Sequence, residues 1–156
     1  AHFRLSRAER QRGVRRLKLA STLLYAFPGS PTVYYGDEAG MEGCEDPFNR
    51  GTFPWGREDP LLLSHYRILG RLRKERPSLR RGDIRYLRAE GGLLMFTRQY
   101  EDETTLIALN NGPAAVELHL PWDRPMAEDA LSRQKFAVRN ETLHITLPPE
   151  NGVVLI

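Results

Sequence analysis

The sequence predicts an α+β protein, with two helices and one short strand over residues 1–80 and an all-β sandwich over residues 81–156. Two observations predict this fold class. Apolar residues recur at helical spacing in the first part of the chain, and the period changes to two from Gly82 onward. Short alternating runs separated by turn residues then follow one another, which is typical of a sandwich.

The composition predicts a buried core and excludes several classes of protein. Of the 156 residues, 40% are hydrophobic, which is enough to build a core. No apolar run approaches the ~18 residues of a membrane helix, and the N-terminus has no signal-peptide segment. We therefore expect a cytoplasmic location and no membrane partner. The single cysteine, Cys44, excludes an internal disulfide framework, and we interpret it as inert.

Charge is divided unevenly along the chain. The formal net charge is +3, yet residues 1–85 carry 17 basic and 10 acidic residues, whereas residues 86–156 carry 6 and 10. A basic half is found in nucleic-acid-binding proteins and also on solvated, arginine-rich helices. We favour the solvated helices and expect no nucleic-acid partner.

The first predicted helix follows Ser6 and runs to Phe27. Ser6 and Glu9 have the spacing of a capping box, in which each side chain bonds the backbone N–H of the other residue. Pro28 and Gly29 end the helix. Its predicted apolar stripe consists of Val14, Leu17, Ala20 or Ser21, and Leu24.

Residues 30–36 are β-branched and aromatic between Pro-Gly and Gly, which predicts a strand buried on both faces, as in a parallel sheet. No parallel partner is evident, so we expect residues 31–36 to pair with another copy of the chain or to lose the strand form. Residues 37–59 show no periodicity. A loop of that length is usually functional when it is ordered.

A second helix is predicted from Pro60 to about Arg76, with Asp59 as its cap and Pro77 as its end. We interpret His65 as a surface or groove histidine. The apolar stripe of this helix consists of Leu62, Tyr66 (or His65), Leu69 and Leu72.

The remaining chain alternates between apolar and polar residues. His119 and His144 lie on the polar side of their runs and are expected to face solvent. The predicted strands cover residues 84–87, 93–98, 105–109, 116–120, 143–147 and 153–156.

Two acidic groups follow the predicted strand. Ligands of α/β folds bind at the carboxyl ends of strands, where Asp37 and Glu38 would lie. Neighbouring residues of an extended segment point in opposite directions, so one carboxylate could contact a ligand while the other anchors the turn. The alternative is that both only fix the turn.

Residues 45–50 combine carboxylates, an amide, a guanidinium and the ring of Phe48. Such groups bind sugars, because polar groups bond hydroxyls and rings cover apolar sugar faces. An Asp46–Arg50 ion pair could equally hold the loop together. The residues alone leave both interpretations open.

Residues 26–41 closely resemble the end of the catalytic barrel in the α-amylase family of glycoside hydrolases (family 13). Residues 46–50 and 53–55 resemble the loop that follows it, in the pattern of the neopullulanase, cyclomaltodextrinase and maltogenic-amylase group. The all-β part resembles domain C of that family, including Arg98, Asn110 and residues 147–149.

The resemblance implies that the chain is a C-terminal fragment, namely the last helix, strand and helix of a (β/α)₈ barrel followed by domain C. It implies an α-glucan substrate, the rest of the barrel as a partner, and no cofactor or metal. Asp46 and Arg50 match residues that contact glucose units. We assign support of the barrel end or loop to Tyr35, Asp37, Glu38 and Trp55.

The same resemblance implies that this chain is inactive alone. Family members use three catalytic carboxylates on earlier barrel loops, and none of them matches a position here. Two other functions remain open at this point. One is a stand-alone module that binds glycan or a protein, and the other is an arginine-rich nucleic-acid binder.

Overall fold

The computed structural model describes residues 5–43, 46 and 49–156, and in that part of the chain it contains three helices and eight strands. The interpretations of Cys44, Glu45 and Phe48 lie outside the described residues. The helices are α1 (Arg7–Ala26), α2 (Pro60–Glu75) and α3 (Pro77–Arg81). The strands are β1 (Asp83–Glu90), β2 (Leu93–Tyr100), β3 (Glu103–Asn110), β4 (Val116–Pro121), β5 (Met126–Glu128), β6 (Lys135–Arg139), β7 (Thr142–Leu147) and β8 (Asn151–Leu155).

The strands form two antiparallel sheets, with the orders β1-β2-β3-β8 and β4-β7-β6-β5. The predicted all-β arrangement is therefore confirmed, and each of the six predicted strands is present. Strands β5 and β6 were not predicted. Strand β5 has only three residues and pairs with β6 through Met126, Ala127 and Glu128, so it carries too little alternation to be recognised.

In the sheet β1-β2-β3-β8, strands β2, β3 and β8 contribute buried residues to both faces, whereas β1 is mostly exposed. On one face Met95, Ala108 and Leu155 pack against the second sheet. On the other face Phe96 and Ile107 pack with apolar residues of the helices. The molecule thus has three layers in the order helices, sheet and sheet, and the central sheet belongs to both cores. The division at residue 80 stays a prediction.

Helix α1 begins as predicted but buries a different face. The Ser6 Oγ accepts from the Glu9 N–H at 3.3 Å, and the Glu9 carboxylate accepts from the Ser6 N–H at 2.9 Å. The predicted stripe is wrong at Leu24, which is 37% exposed. The residues of α1 that are buried are Leu19, Ser21, Thr22 and Ala26. Periodicity identifies a helix, whereas the elements packed on it decide which face is covered.

Helix α2 follows its prediction closely. The Asp59 carboxylate accepts from the N–H groups of Leu61 and Leu62, and the whole predicted stripe is buried. Of the two positions predicted for His65, the open surface is wrong, because only 8% of the residue is exposed, whereas the groove is confirmed, because His65 lines a cleft beside α1. Pro77 ends α2 as predicted and also opens α3.

The strand predicted over residues 30–36 is absent. Residues 31–34 have no regular structure, and residues 35–40 form turns. Gly36 has φ +95°, a left-handed conformation that interrupts an extended run. A strand needs a neighbour for its ladder, and within the described residues no strand pairs with this segment. In the single chain the segment therefore has no strand form, and pairing with another copy stays a prediction.

Candidate functional site

The two carboxylates after residue 36 have different surroundings. The Glu38 carboxylate accepts from the Gly36 N–H at 2.9 Å and so stabilises the turn. Asp37 is half-buried, and burial, together with the negative charge of Glu38, raises the pKa of its carboxyl. Glu38 is thus held by the backbone. The charge of Asp37 acts on Tyr66, whose pKa is raised to about 12 by burial and then by this charge.

Tyr35 joins this turn to the following loop. Its hydroxyl donates to the Gly51 carbonyl at 3.0 Å, and its ring lies 5.0 Å from that of Tyr34. Both rings are about half exposed. The predicted supporting role of Tyr35 has this contact as its geometric basis.

Asp46 and Arg50 form an ion pair on the loop surface. The Arg50 Nε lies 2.8 Å from Asp46 Oδ1, and its Nη2 donates to Oδ2 at 3.2 Å. The side chains are 68% and 59% exposed for Arg50 and Asp46 respectively. An exposed pair of this kind contributes only about 0–1 kcal/mol to stability. Both groups therefore remain accessible to a ligand from solvent.

Trp55 provides an aromatic surface on the same loop. It is 81% exposed, and its ring centroid lies 4.6 Å from that of Phe53. An indole held against a second ring and open to solvent can cover the apolar face of a ligand.

Arg10 ties the base of the loop to the helices. Its Nη1 donates to the Glu42 carboxylate at 2.8 Å and to the Gly40 carbonyl at 3.2 Å, and its Nη2 lies 3.3 Å from Asp59 Oδ2. A groove of about 400 Å³ lies beside this guanidinium. The loop is thus positioned by α1 and by the cap of α2.

No metal centre is visible in residues 5–43, 46 and 49–156, where no three His, Cys, Asp or Glu side chains are grouped. None of the three described helices is long and apolar enough to span a membrane. The histidines predicted to face solvent do so, and the rings of His119 and His144 lie 4.6 Å apart on β4 and β7.

The sequence analysis named Arg98 only through the resemblance and did not anticipate that two guanidinium groups lie at the end of α1. Arg98, which is 1% exposed, donates to the carbonyls of Ala26 and Gly82. Arg73 donates to the carbonyls of Tyr25, Phe27 and Gly29. The last carbonyls of a helix lack partners within it, and cations stabilise that end. The sequence did contain a signal for the burial of Arg98, because the alternation of β2 places it on the same face as the apolar Phe96.

Comparison with known proteins identifies the chain at the level of the family. Residues 84–153 match the family described as Maltogenic Amylase, C-terminal domain. Together with the relatives below, this match shows that the chain belongs to the α-amylase family of glycoside hydrolases. The predicted resemblance is confirmed.

Three relatives illustrate the match. The chain is 34% identical to an amylopullulanase of Thermoanaerobacter thermohydrosulfuricus over 97% of this chain and 11% of that protein. It is 36% identical to a cyclomaltodextrinase of Geobacillus thermopakistaniensis over 90% of this chain and 25% of that one. The structure of an Anoxybacillus α-amylase matches with a TM-score of 0.80 and 37% identity, over 91% of this chain and 32% of that chain. The chain thus spans between about a tenth and a third of these relatives' lengths.

Proposed function

We propose that this chain is the C-terminal part of an enzyme that hydrolyses α-glucans. In this proposal the segment up to about residue 80 completes a (β/α)₈ catalytic barrel, and residues 81–156 form domain C. The observation that carries the proposal is the exposed loop on which the Asp46–Arg50 pair and Trp55 lie together. The names of the relatives, which include an amylopullulanase and a cyclomaltodextrinase, support an α-glucan as the substrate.

The proposed role of the loop is to hold glucose units. A carboxylate accepts hydrogen bonds from sugar hydroxyls, and a guanidinium donates to their oxygens. Because the Asp46–Arg50 pair is exposed, a sugar can share its bonds without burying an unpaired charge. Trp55 would cover an apolar sugar face.

We propose that the rest of the barrel covers the exposed apolar side chains that follow α1. Phe27 is 40% exposed and Tyr34 is 53% exposed, although both lie in the part of the chain that would be inside the barrel assembly. Burial of such side chains against neighbouring barrel elements would remove apolar surface from water, which favours assembly. This proposal also accounts for residues 31–34, which have no regular structure and pair with no described strand.

We expect Asp46→Ala and Arg50→Ala to lower kcat/KM on maltooligosaccharides roughly tenfold in the complete enzyme, because each removes a charge-assisted hydrogen bond to the substrate. Steady-state kinetics measure this effect. The matched control is Arg88→Ala, which breaks an exposed ion pair with Glu90 on β1. Thermal unfolding of all three variants should stay close to wild type. Unchanged kinetics for both loop variants would show that the pair only holds the loop.

The 156-residue chain alone is expected to release no reducing sugar from starch, pullulan or cyclodextrins. Retaining hydrolysis needs two carboxyl groups about 5–5.5 Å apart across the scissile bond. None of the family's catalytic carboxylates matches a position in this sequence. A reducing-sugar assay on purified chain tests the expectation. Turnover that is lost in an Asp37→Asn or Asp46→Asn variant would overturn it.

A further inference from the structure

A second cleft, of about 320 Å³, lies between α1 and the all-β part of the molecule. It shares no lining residue with the groove beside Arg10. Its polar lining comes from four regions of the fold: α1, α2, the turn between β5 and β6, and residues 150–151 at the start of β8. The residues concerned are Arg15, Lys18, Thr22, His65, Asp129, Ser132, Glu150 and Asn151.

One carboxylate at this cleft is already fully used by arginines. Glu150 accepts from the Nε atoms of Arg12 at 2.8 Å, Arg15 at 3.0 Å and Arg16 at 3.1 Å. These bonds, that of Arg12 first, lower the pKa of Glu150 to about 2. Its single negative charge therefore leaves an excess of positive charge around it.

The other carboxylate is used by the protein backbone. Asp129, which is 4% exposed, accepts from the N–H groups of Leu131, Ser132 and Val154 and from the Ser132 hydroxyl. All these donors belong to the turn after β5 and to β8. Asp129 thus holds the wall of the cleft and does not pair with the basic residues of α1.

Lys18 lies at the cleft without a counter-ion. Within the described ranges its ammonium forms no hydrogen bond or ion pair. Its charge reaches the neighbouring His65 and contributes, after burial, to lowering the pKa of that imidazole. Two more donors line the same space. Arg15 contacts Glu150 through Nε and Nη2 only, and Asn151 uses its Oδ1 on the Gly152 N–H, which leaves its amide N–H₂.

We propose that this cleft binds a small oxyanion of the phosphate class, either free phosphate or a phosphate ester. The three groups named above, the Lys18 ammonium, the remaining Arg15 N–H groups and the Asn151 amide, are donors, and two of them are cationic, which is the chemistry that recognises phosphate oxygens. A concave site with excess positive charge also concentrates anions. A neutral ligand such as a sugar would need acceptors as well, and the two carboxylates here are occupied.

The test is a titration of the chain with inorganic phosphate. Binding is monitored by calorimetry and by the NMR resonances of the His65 ring, and a titration with chloride at the same ionic strength is the reference. We expect saturable binding that perturbs His65. Lys18→Gln should weaken it at least about tenfold, because a hydrogen bond to a charged group is lost. Lys18→Arg should retain binding. The control Lys135→Gln, which alters an exposed lysine of β6, should leave it unchanged.

A parallel titration with glucose 1-phosphate distinguishes the two sources of the group. Tighter binding of the ester identifies a phosphorylated metabolite as the ligand, whereas equal or weaker binding identifies free phosphate. The proposal is overturned if phosphate does not saturate, or if Lys18→Gln binds as tightly as wild type. If Lys18→Gln does not fold, the NMR spectrum of the wild-type chain in the phosphate titration tests the proposal. Phosphate that shifts the resonances of His119 and His144, and not those of His65, would refute binding at this cleft.

Discussion

Replacing Arg98 by leucine is expected to lower the free energy of unfolding by about 3 kcal/mol or more. The guanidinium is buried between the end of α1 and the start of the first sheet, where it donates to the carbonyls of Ala26 and Gly82. Each buried carbonyl left without a donor costs roughly 1–3 kcal/mol. Leucine also fills the space of the buried side chain incompletely, which leaves a void.

Urea unfolding of the wild-type chain and the variant measures this loss. Arg85→Leu is the matched control, since Arg85 lies exposed on the neighbouring strand β1, and its change should stay within about 0.5 kcal/mol. Arg98→Lys should recover only part of the loss, because one ammonium cannot reproduce the fork of a guanidinium. A loss below about 1 kcal/mol for Arg98→Leu would mean that water or other groups satisfy the two carbonyls.

The second large effect is acid destabilisation through His65. Its Nε2 lies 3.2 Å from the Ser21 hydroxyl and 3.4 Å from that of Thr22. Both hydroxyls already donate to backbone carbonyls of α1, so Nε2 carries the hydrogen of the neutral ring. Burial, and then the charge of Lys18, lower the pKa of His65 to about 4.

The sign of the effect follows from the two pKa values. In the unfolded chain a histidine titrates near 6.5, so between about pH 6.5 and 4 the unfolded state binds a proton that the folded state does not. The free energy of unfolding therefore falls as the pH falls through this window, by about 3 kcal/mol in total. The pKa of Glu150 is lowered from 4.5 to about 2, so its contribution to the free energy of unfolding is lost only below about pH 4.5.

Urea unfolding at pH 7 and pH 4.5 tests this expectation. The decrease between the two pH values should be markedly smaller in His65→Gln, whose amide can still donate to the Ser21 hydroxyl. The exposed His144→Gln is the control and should lose as much stability as wild type. An equal pH dependence in wild type and His65→Gln would place the acid sensitivity in other groups.

Local chemistry explains what could be predicted from the sequence. The capping box of Ser6 and Glu9 and the cap at Asp59 form within a few residues, and both are present. The change to a period of two after Gly82 predicted six of the eight strands. Strand β5 has only three residues and shows too little alternation, whereas β6 alternates over five residues and was nevertheless not predicted. The Asp46–Arg50 pair could likewise be anticipated, because its members are four residues apart.

The starts of the helices, the alternating runs and the loop with paired charges could be recognised in the sequence, because those features depend on neighbours along the chain. The covered face of α1, the unpaired residues 31–34 and the burial of Arg98 and His65 became visible in the folded molecule alone. Burial and ladder pairing are properties of contacts between distant segments. Arg98 meets Ala26 across 72 positions of the chain, and no local pattern encodes that contact.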